Sequence, residues 1–248
     1  DEDEARIVLP ARLPLPDIKE LPKIQKPMLV NLWSALCQPC IEELEEWSNN
    51  IKTIEDSGLH IQLLNVDIEP AKNYQYPFAN SSISLKGIRA LDLFQKGVLD
   101  RWVDLPVPSS FLMDQYGEVA VIYKGKVSTK QVISDFKLLN ANHEQRRSMA
   151  LPFEGLFISP LPKPDPRRIS SQFLDADQPQ EALAYLKKFD GRYPNDPDVL
   201  RMIKILKRGL GIPIDEAAEM MAAANKFWES GDKELAIESY KKTLSRFP

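Results

Sequence analysis

The chain has 248 residues, enough for two modest domains at about 100 to 200 residues each. With 32 Lys and Arg against 36 Asp and Glu, its formal net charge is −4, and the acidic opening Asp1-Glu2-Asp3-Glu4 accounts for that excess. There is no basic surplus of the kind that phosphate binding needs, which excludes nucleic acid as a partner. No apolar run approaches the ~18 residues of a membrane span, and the start DEDEARIVLP lacks a basic stretch followed by an apolar one, so no signal peptide is expected within it.

Proline punctuates the chain. A first group, from Pro10 to Pro27, marks an irregular approach to the first regular element. The apolar runs MLVNLW (28 to 33) and LHIQLLNV (59 to 66) have strand length, and a helical pattern from about Pro39 to Asp56 separates them. That order is a βαβ unit and implies parallel strands. A further helix fits 85 to 102, where Leu85, Ile88, Leu91, Leu93, Phe94, Val98 and Trp102 recur mainly at helical spacing. SSFLMDQYGEVAVIY then reads as two strands about a Gln-Tyr-Gly turn, and a helix runs from about Thr129 to Leu139.

Pro152, Pro160, Pro162, Pro164 and Pro166 follow in quick succession, favouring extended backbone without amide donors. The expected organisation is therefore an α/β domain over 1 to 148, a linker over 149 to 166 and an all-helical domain over 167 to 248. Leu151, Phe153, Leu156, Phe157, Ile158 and Leu161 are too many apolar residues for a solvated tether, so the linker is expected to pack on the first domain.

The two cysteines of the chain are Cys37 and Cys40, in Cys37-Gln38-Pro39-Cys40, directly after a strand and at the opening of a helix. A sulfur at a helix N-terminus meets unsatisfied N–H groups and the positive end of the macrodipole, which lowers its pKa from about 8.5. Cys40 lies one turn further along, and Pro39 suits a first turn because it has no N–H to lose. Cys37 can then attack a disulfide and Cys40 can resolve the mixed disulfide. Two blander readings compete. Zinc needs about four ligands, and His60 and His143 are isolated; a structural disulfide between residues three apart closes a loop too small for much entropic gain. Glu42, Glu43, Glu45 and Glu46 crowd the same helix start, where a solvated acidic face is the simplest expectation.

The strand-Trp-x-x-x-Cys-x-x-Cys-helix segment MLVNLWSALCQPCIEEL resembles the thioredoxin superfamily, and within it the TlpA/ResA-type thiol-disulfide oxidoreductases. Asn31 stands where this subgroup usually has Asn and thioredoxin has a buried Asp, and Glu43 matches an acidic position common in the subgroup. VPSSFLMDQYGEV (107 to 119) is similar to the family's Val-Pro-Thr-Thr-Phe-Leu-Ile-Asp-x-x-Gly segment.

The resemblance spans about residues 10 to 142. It implies a central mixed sheet flanked by helices, with Cys37 as nucleophile and Cys40 as resolving thiol. Pro108 would be a cis-proline, and the Val107 backbone would pair with an extended substrate. Asn31, Trp33, Gln38, Pro39 and Glu43 would tune the pair. It also implies no cofactor beyond a redox-active Cys37-Cys40 disulfide, protein thiol or disulfide substrates, and an upstream redox partner. The implied location is the bacterial periplasm or another extracytoplasmic compartment, the targeting segment being absent from this chain. Leu36 and Glu45 depart from the family, which usually has an aromatic residue and a helix-kinking proline there.

The segment 225 to 248 resembles a tetratricopeptide repeat, with Ala224, Phe227, Gly231, Ala236, Tyr240 and Pro248 at its signature spacings. The segment 175 to 194 repeats the later half through Ala182, Leu186 and Pro194, with Asp177 in the glycine place. Such repeats would offer a concave face to a protein or peptide ligand; the alternative is a helical appendage to the first domain. Combined with the departures at Leu36 and Glu45, the repeats also allow an interaction module on a redox-inert thioredoxin-like scaffold.

Overall fold

The computed structural model describes residues 6–69, 74–99, 103–150, 164–214 and 216–247. They form two units, Asp1–Asp177 and Gln178–Pro248. The expectation of a packed linker falls largely on 151–163, and that for Trp102 on 100–102, both outside the described residues.

The first unit is built on a six-stranded mixed sheet of order β1-β6-β5-β2-β3-β4. Its strands are β1 (Arg6–Pro14), β2 (Met28–Trp33), β3 (His60–Asn65), β4 (Ala79–Ser82), β5 (Ser109–Met113) and β6 (Glu118–Lys124). β2 pairs parallel with β3 and antiparallel with β5, so both of its edges are used and all but its first residue are buried. A strand covered on both faces reads as a continuous apolar run, which is why MLVNLW carries a clear signal.

Two edge strands carry weaker signals. β1 runs antiparallel to β6, with Val8 opposite Val121 and Leu13 opposite Val119, and its register shifts between Val8 and Leu13. The sequence reading of an irregular segment from Pro10 is thus corrected for Pro10–Pro14. On an edge strand with a bulge, a proline's missing donor costs no ladder bond. β4 is the other edge, and its residues ANSS are polar because the strand is largely exposed.

Helices α1 (Gln38–Asn49), α2 (Ile51–Ser57), α3 (Leu85–Leu99), α4 (Thr129–Phe136) and α5 (His143–Ala150) follow the strands, with a 3-10 turn over Lys137–Asn140 after α4. The single helix expected over 39 to 56 is broken at Asn50, whose Nδ2 donates to the Glu46 carbonyl at 2.8 Å and competes with the helical ladder. Leu29 and Trp33 of β2 share one core with Leu44 and Trp47 of α1, Ile54 of α2 and Val132 of α4. On the other face, Phe94 of α3 meets Phe111 of β5 edge to face at 6.2 Å.

Helix α6 (Arg167–Asp175) belongs to the first unit, not to the helices beyond it. The sequence places the boundary at the proline run; the structure places it after Asp177. Gly97 on α3 explains the difference. A Cβ there would lie 2.6 Å from the Ile169 Cα, so the glycine admits the α6 backbone at a distance no side chain allows. Ile169 and Phe173 are buried as a result.

The second unit holds α7 (Pro179–Arg192), α8 (Pro197–Gly209), α9 (Glu216–Glu229) and α10 (Lys233–Arg246). α7 and α8 pack together, as do α9 and α10. Ala224 and Ala236 are fully buried, and Gly231 turns between α9 and α10 at φ +86°. The all-helical expectation holds; nothing identifies these hairpins as tetratricopeptide repeats.

Candidate functional site

Three elements converge on the cysteines: the end of β2, the first turn of α1 and the approach to β5. Residues 34 to 36 turn the chain out of the sheet, and Cys37 caps α1, its Sγ accepting from the Cys40 N–H at 3.2 Å. Cys37 and Cys40 are joined by a disulfide with Cα atoms 5.3 Å apart. Helical geometry makes the two sulfurs unequal. Cys37 at the cap is partly exposed, while Cys40 one turn in is fully buried beneath it.

The third element supplies a backbone edge. The Val107–Pro108 peptide is cis, and the Val107 carbonyl oxygen lies 3.5 Å from Cys37 Sγ. Ser109 Oγ donates to the Pro106 carbonyl at 2.7 Å, and Gly125 N–H to the Pro108 carbonyl at 2.8 Å. Cys37, Cys40, Val107 and Pro108, which the sequence grouped, therefore meet in space.

Asn31 and Glu43 meet in the interior. On β2, Leu29, Asn31 and Trp33 share the face that α1 covers, because side chains alternate along a strand. Glu43, Leu44 and Trp47 line the inner side of α1. Asn31 Nδ2 donates to Glu43 Oε2 at 2.9 Å, and Val127 N–H donates to Glu43 Oε1 at 2.7 Å. Burial pushes the Glu43 carboxyl up to about 8, although those donors, and Lys126, pull the other way. The solvated acidic face expected at this helix start holds for exposed Glu42 and Glu45. It fails for Glu43, and for Glu46, which accepts from Thr129 N–H and Oγ1 at the start of α4. Glu42 pairs with Lys126 at 3.1 Å, and that partner holds its carboxyl below the usual range.

Trp33 lies in the core, edge-on to Tyr74 and Tyr76, with its indole N–H on Asn80 Oδ1 at 3.2 Å. Gln38 turns away along the helix to Glu42, and Pro39 occupies the exposed first turn. The departures from the family lie at the surface: Leu36 is 94% exposed beside Cys37, and α1 passes Glu45 as continuous helix up to Asn50.

Sequence reasoning missed Asp67. Its carboxylate accepts from Ser34 Oγ at 2.5 Å, Ala35 N–H at 2.8 Å and Asn65 Nδ2 at 3.0 Å, and so holds the turn that delivers Cys37. Burial works against its charge, yet these donors keep the carboxyl below its usual range. The local signal is an Asn-x-Asp that begins at the last residue of β3, which names no partner. Among the described residues no group of three or more His, Cys, Asp or Glu could hold a metal ion.

The first unit is thus a thioredoxin-like α/β fold with a mixed sheet, carrying a disulfide at a helix N-terminus. No protein-family profile matches the chain. It is similar to thiol-disulfide oxidoreductase ResA of Bacillus subtilis, 27% identical over 126 residues, covering 50% of this chain and 64% of that protein. ResA of Halalkalibacterium halodurans is 24% identical over 113 residues, covering 45% and 60%. The chain spans less than two thirds of the length of these curated relatives.

Among solved structures, a thiol:disulfide interchange protein of the thioredoxin family from Chlorobium tepidum matches with a TM-score of 0.41 at 20% identity, over 52% of this chain and 96% of that one. A thio-disulfide isomerase from Thermus thermophilus matches with a TM-score of 0.39 at 20% identity, over 53% and 98%. By these two curated relatives, about half of the chain is similar to ResA-type thiol-disulfide oxidoreductases.

Proposed function

We propose that this protein exchanges disulfides with protein substrates through Cys37 and Cys40. One observation carries the reading: a partly exposed Cys37 is bonded to a fully buried Cys40 at a helix N-terminus, with the Val107 carbonyl 3.5 Å away. In the reduced protein the Cys37 thiolate attacks one sulfur of a substrate disulfide, and the other sulfur leaves as a thiolate that takes up a proton. Cys40, having given up its proton, attacks Cys37 Sγ and releases the second substrate thiol. Two electrons pass to the substrate, and the Cys37–Cys40 bond forms; the reverse sequence oxidises a dithiol. An upstream redox partner resets the pair.

Pro108 and Val107 serve as the platform for the substrate chain. Glu43, one turn beyond Cys40 and protonated near neutral pH, keeps an exchangeable proton in the interior; Asn31 holds its carboxyl, while Trp33, Gln38 and Pro39 shape the cap. No cofactor beyond the cysteine pair enters the proposal. An extracytoplasmic location belongs to the same reading; among the described residues no helix is long and apolar enough to cross a membrane. So does docking of a protein partner on the second unit, supported by Trp228 and Leu244, which are 50% and 64% exposed.

The test is to trap substrates with Cys40→Ser, which should accumulate mixed disulfides through Cys37. No more adducts than from the double Cys→Ser variant would reject the reading. Trp228→Glu with Leu244→Glu should slow a large protein substrate and leave a small disulfide unaffected.

A further inference from the structure

We propose that α3 selects extended polypeptide substrates, with Asp92 and Gln95 as positioning residues that set where Val107 stands beside Cys37. The proposal deepens the oxidoreductase reading and rests on it.

The segment 103 to 107 is neither helix nor strand, so its peptide groups need partners from outside the regular ladders. α3 supplies them. Gln95 Nε2 donates to the Val103 carbonyl at 2.6 Å, and Leu105 N–H donates to Asp92 Oδ1 at 2.9 Å. Lys96 Nζ bridges Asp92 Oδ2 at 2.8 Å and Asp104 Oδ1 at 2.6 Å. Spacings of three and four put the three side chains on one face of the helix. Gln95 is fully buried, so its amide has a direct structural task, not a solvating one.

The helix is a firm base for such a strap. Phe94 packs on Phe111 of the sheet, and Gly97 lies against the Ile169 backbone of α6. On the far side of Val107 the chain is fastened again, through Ser109 Oγ to the Pro106 carbonyl and Gly125 N–H to the Pro108 carbonyl. Val107 lies between the two sets of anchors, its carbonyl oxygen 3.5 Å from Cys37 Sγ. A substrate that pairs its backbone with Val107 reads the strap's position directly. A small disulfide that meets Cys37 alone does not.

The experiment follows reduction of two substrates by the dithiol form of the full chain: an extended peptide with one disulfide, and hydroxyethyl disulfide. Gln95→Leu and Asp92→Ala should raise the KM for the peptide roughly tenfold. Peptide kcat and the rate with hydroxyethyl disulfide should stay within about twofold of wild type, and so should the redox equilibrium constant of the cysteine pair against glutathione. Asp92→Asn, which keeps an acceptor for Leu105 N–H, should recover most of the peptide KM. If Gln95→Leu does not fold, Asp104→Asn replaces it, since that side chain is 92% exposed and the change spares the core; it should raise the same KM by a smaller factor. Equal losses on both substrates, or an unchanged peptide KM in the folded variants, would overturn the proposal. A wild-type protein inert toward both substrates would overturn the oxidoreductase reading, and this inference with it.

Discussion

Replacing Glu43 by Gln should change how the stability of the first unit depends on pH. The native carboxyl titrates near 8, against an ordinary value of 4.5, chiefly because burial penalises the charge. For an acid whose native value is raised, the folded state prefers the proton. Stability is therefore full below about 4.5, falls as pH rises towards about 8, and is level beyond that. At 1.36 kcal/mol per pKa unit, the window between pH 5 and pH 8 removes about 3 kcal/mol.

The Gln side chain carries no such charge. A protonated Glu43 can also donate a hydrogen bond to Asn31 Oδ1, a buried atom with no hydrogen-bond partner while Nδ2 faces the carboxylate, once the Asn31 amide turns over. Urea unfolding of the disulfide-bonded protein, followed by the fluorescence of buried Trp33 and Trp47, should show wild type losing about 3 kcal/mol relative to Glu43→Gln between pH 5 and pH 8. Other titrating groups cancel in that difference. Parallel profiles, differing by less than about 1 kcal/mol across the window, would refute the argument from burial.

Asp67→Ala removes the acceptor for Ser34, Ala35 and Asn65, and should speed amide exchange at Ala35 by about an order of magnitude. Because the Asp67 carboxyl is held low, its contribution is present above the unfolded-state value and fades as pH falls through the native one; Asp67→Asn should flatten the acid limb of stability. Gly97→Ala should cost about 2 kcal/mol, because the Ile169 backbone of α6 must move away, and limited proteolysis should then cut first within 164 to 177. Arg6→Ala should cost about 2 kcal/mol in thermal unfolding, since it strips a bidentate partner from Asp135, which is 1% exposed and is left, among the described residues, with the side-chain donors Tyr123 and Gln131.

Features whose causes are local can be read directly from the chain. β2, β3, β5 and β6 announce themselves because buried strands are dense in apolar residues. The placement of Cys37 as cap and Cys40 one turn inside follows from a strand that hands the chain directly to a helix. The edge strands are harder to read, since β1 tolerates prolines and β4 needs no apolar residue at all. The tertiary structure alone decided the rest. Glu43 looks like one more surface acid until β2 and the segment before α4 bring Asn31 and Val127 to it. Asp67, Asp92 and Gln95 are ordinary polar residues until the sheet places them against backbone more than a few residues away. α6 follows the proline run yet joins the first unit, because a glycine on α3 leaves room for it. In each case the deciding partner belongs to another segment of the chain, and the energy lies in desolvating a polar group or in a close backbone approach, neither of which leaves a periodic trace in the chain.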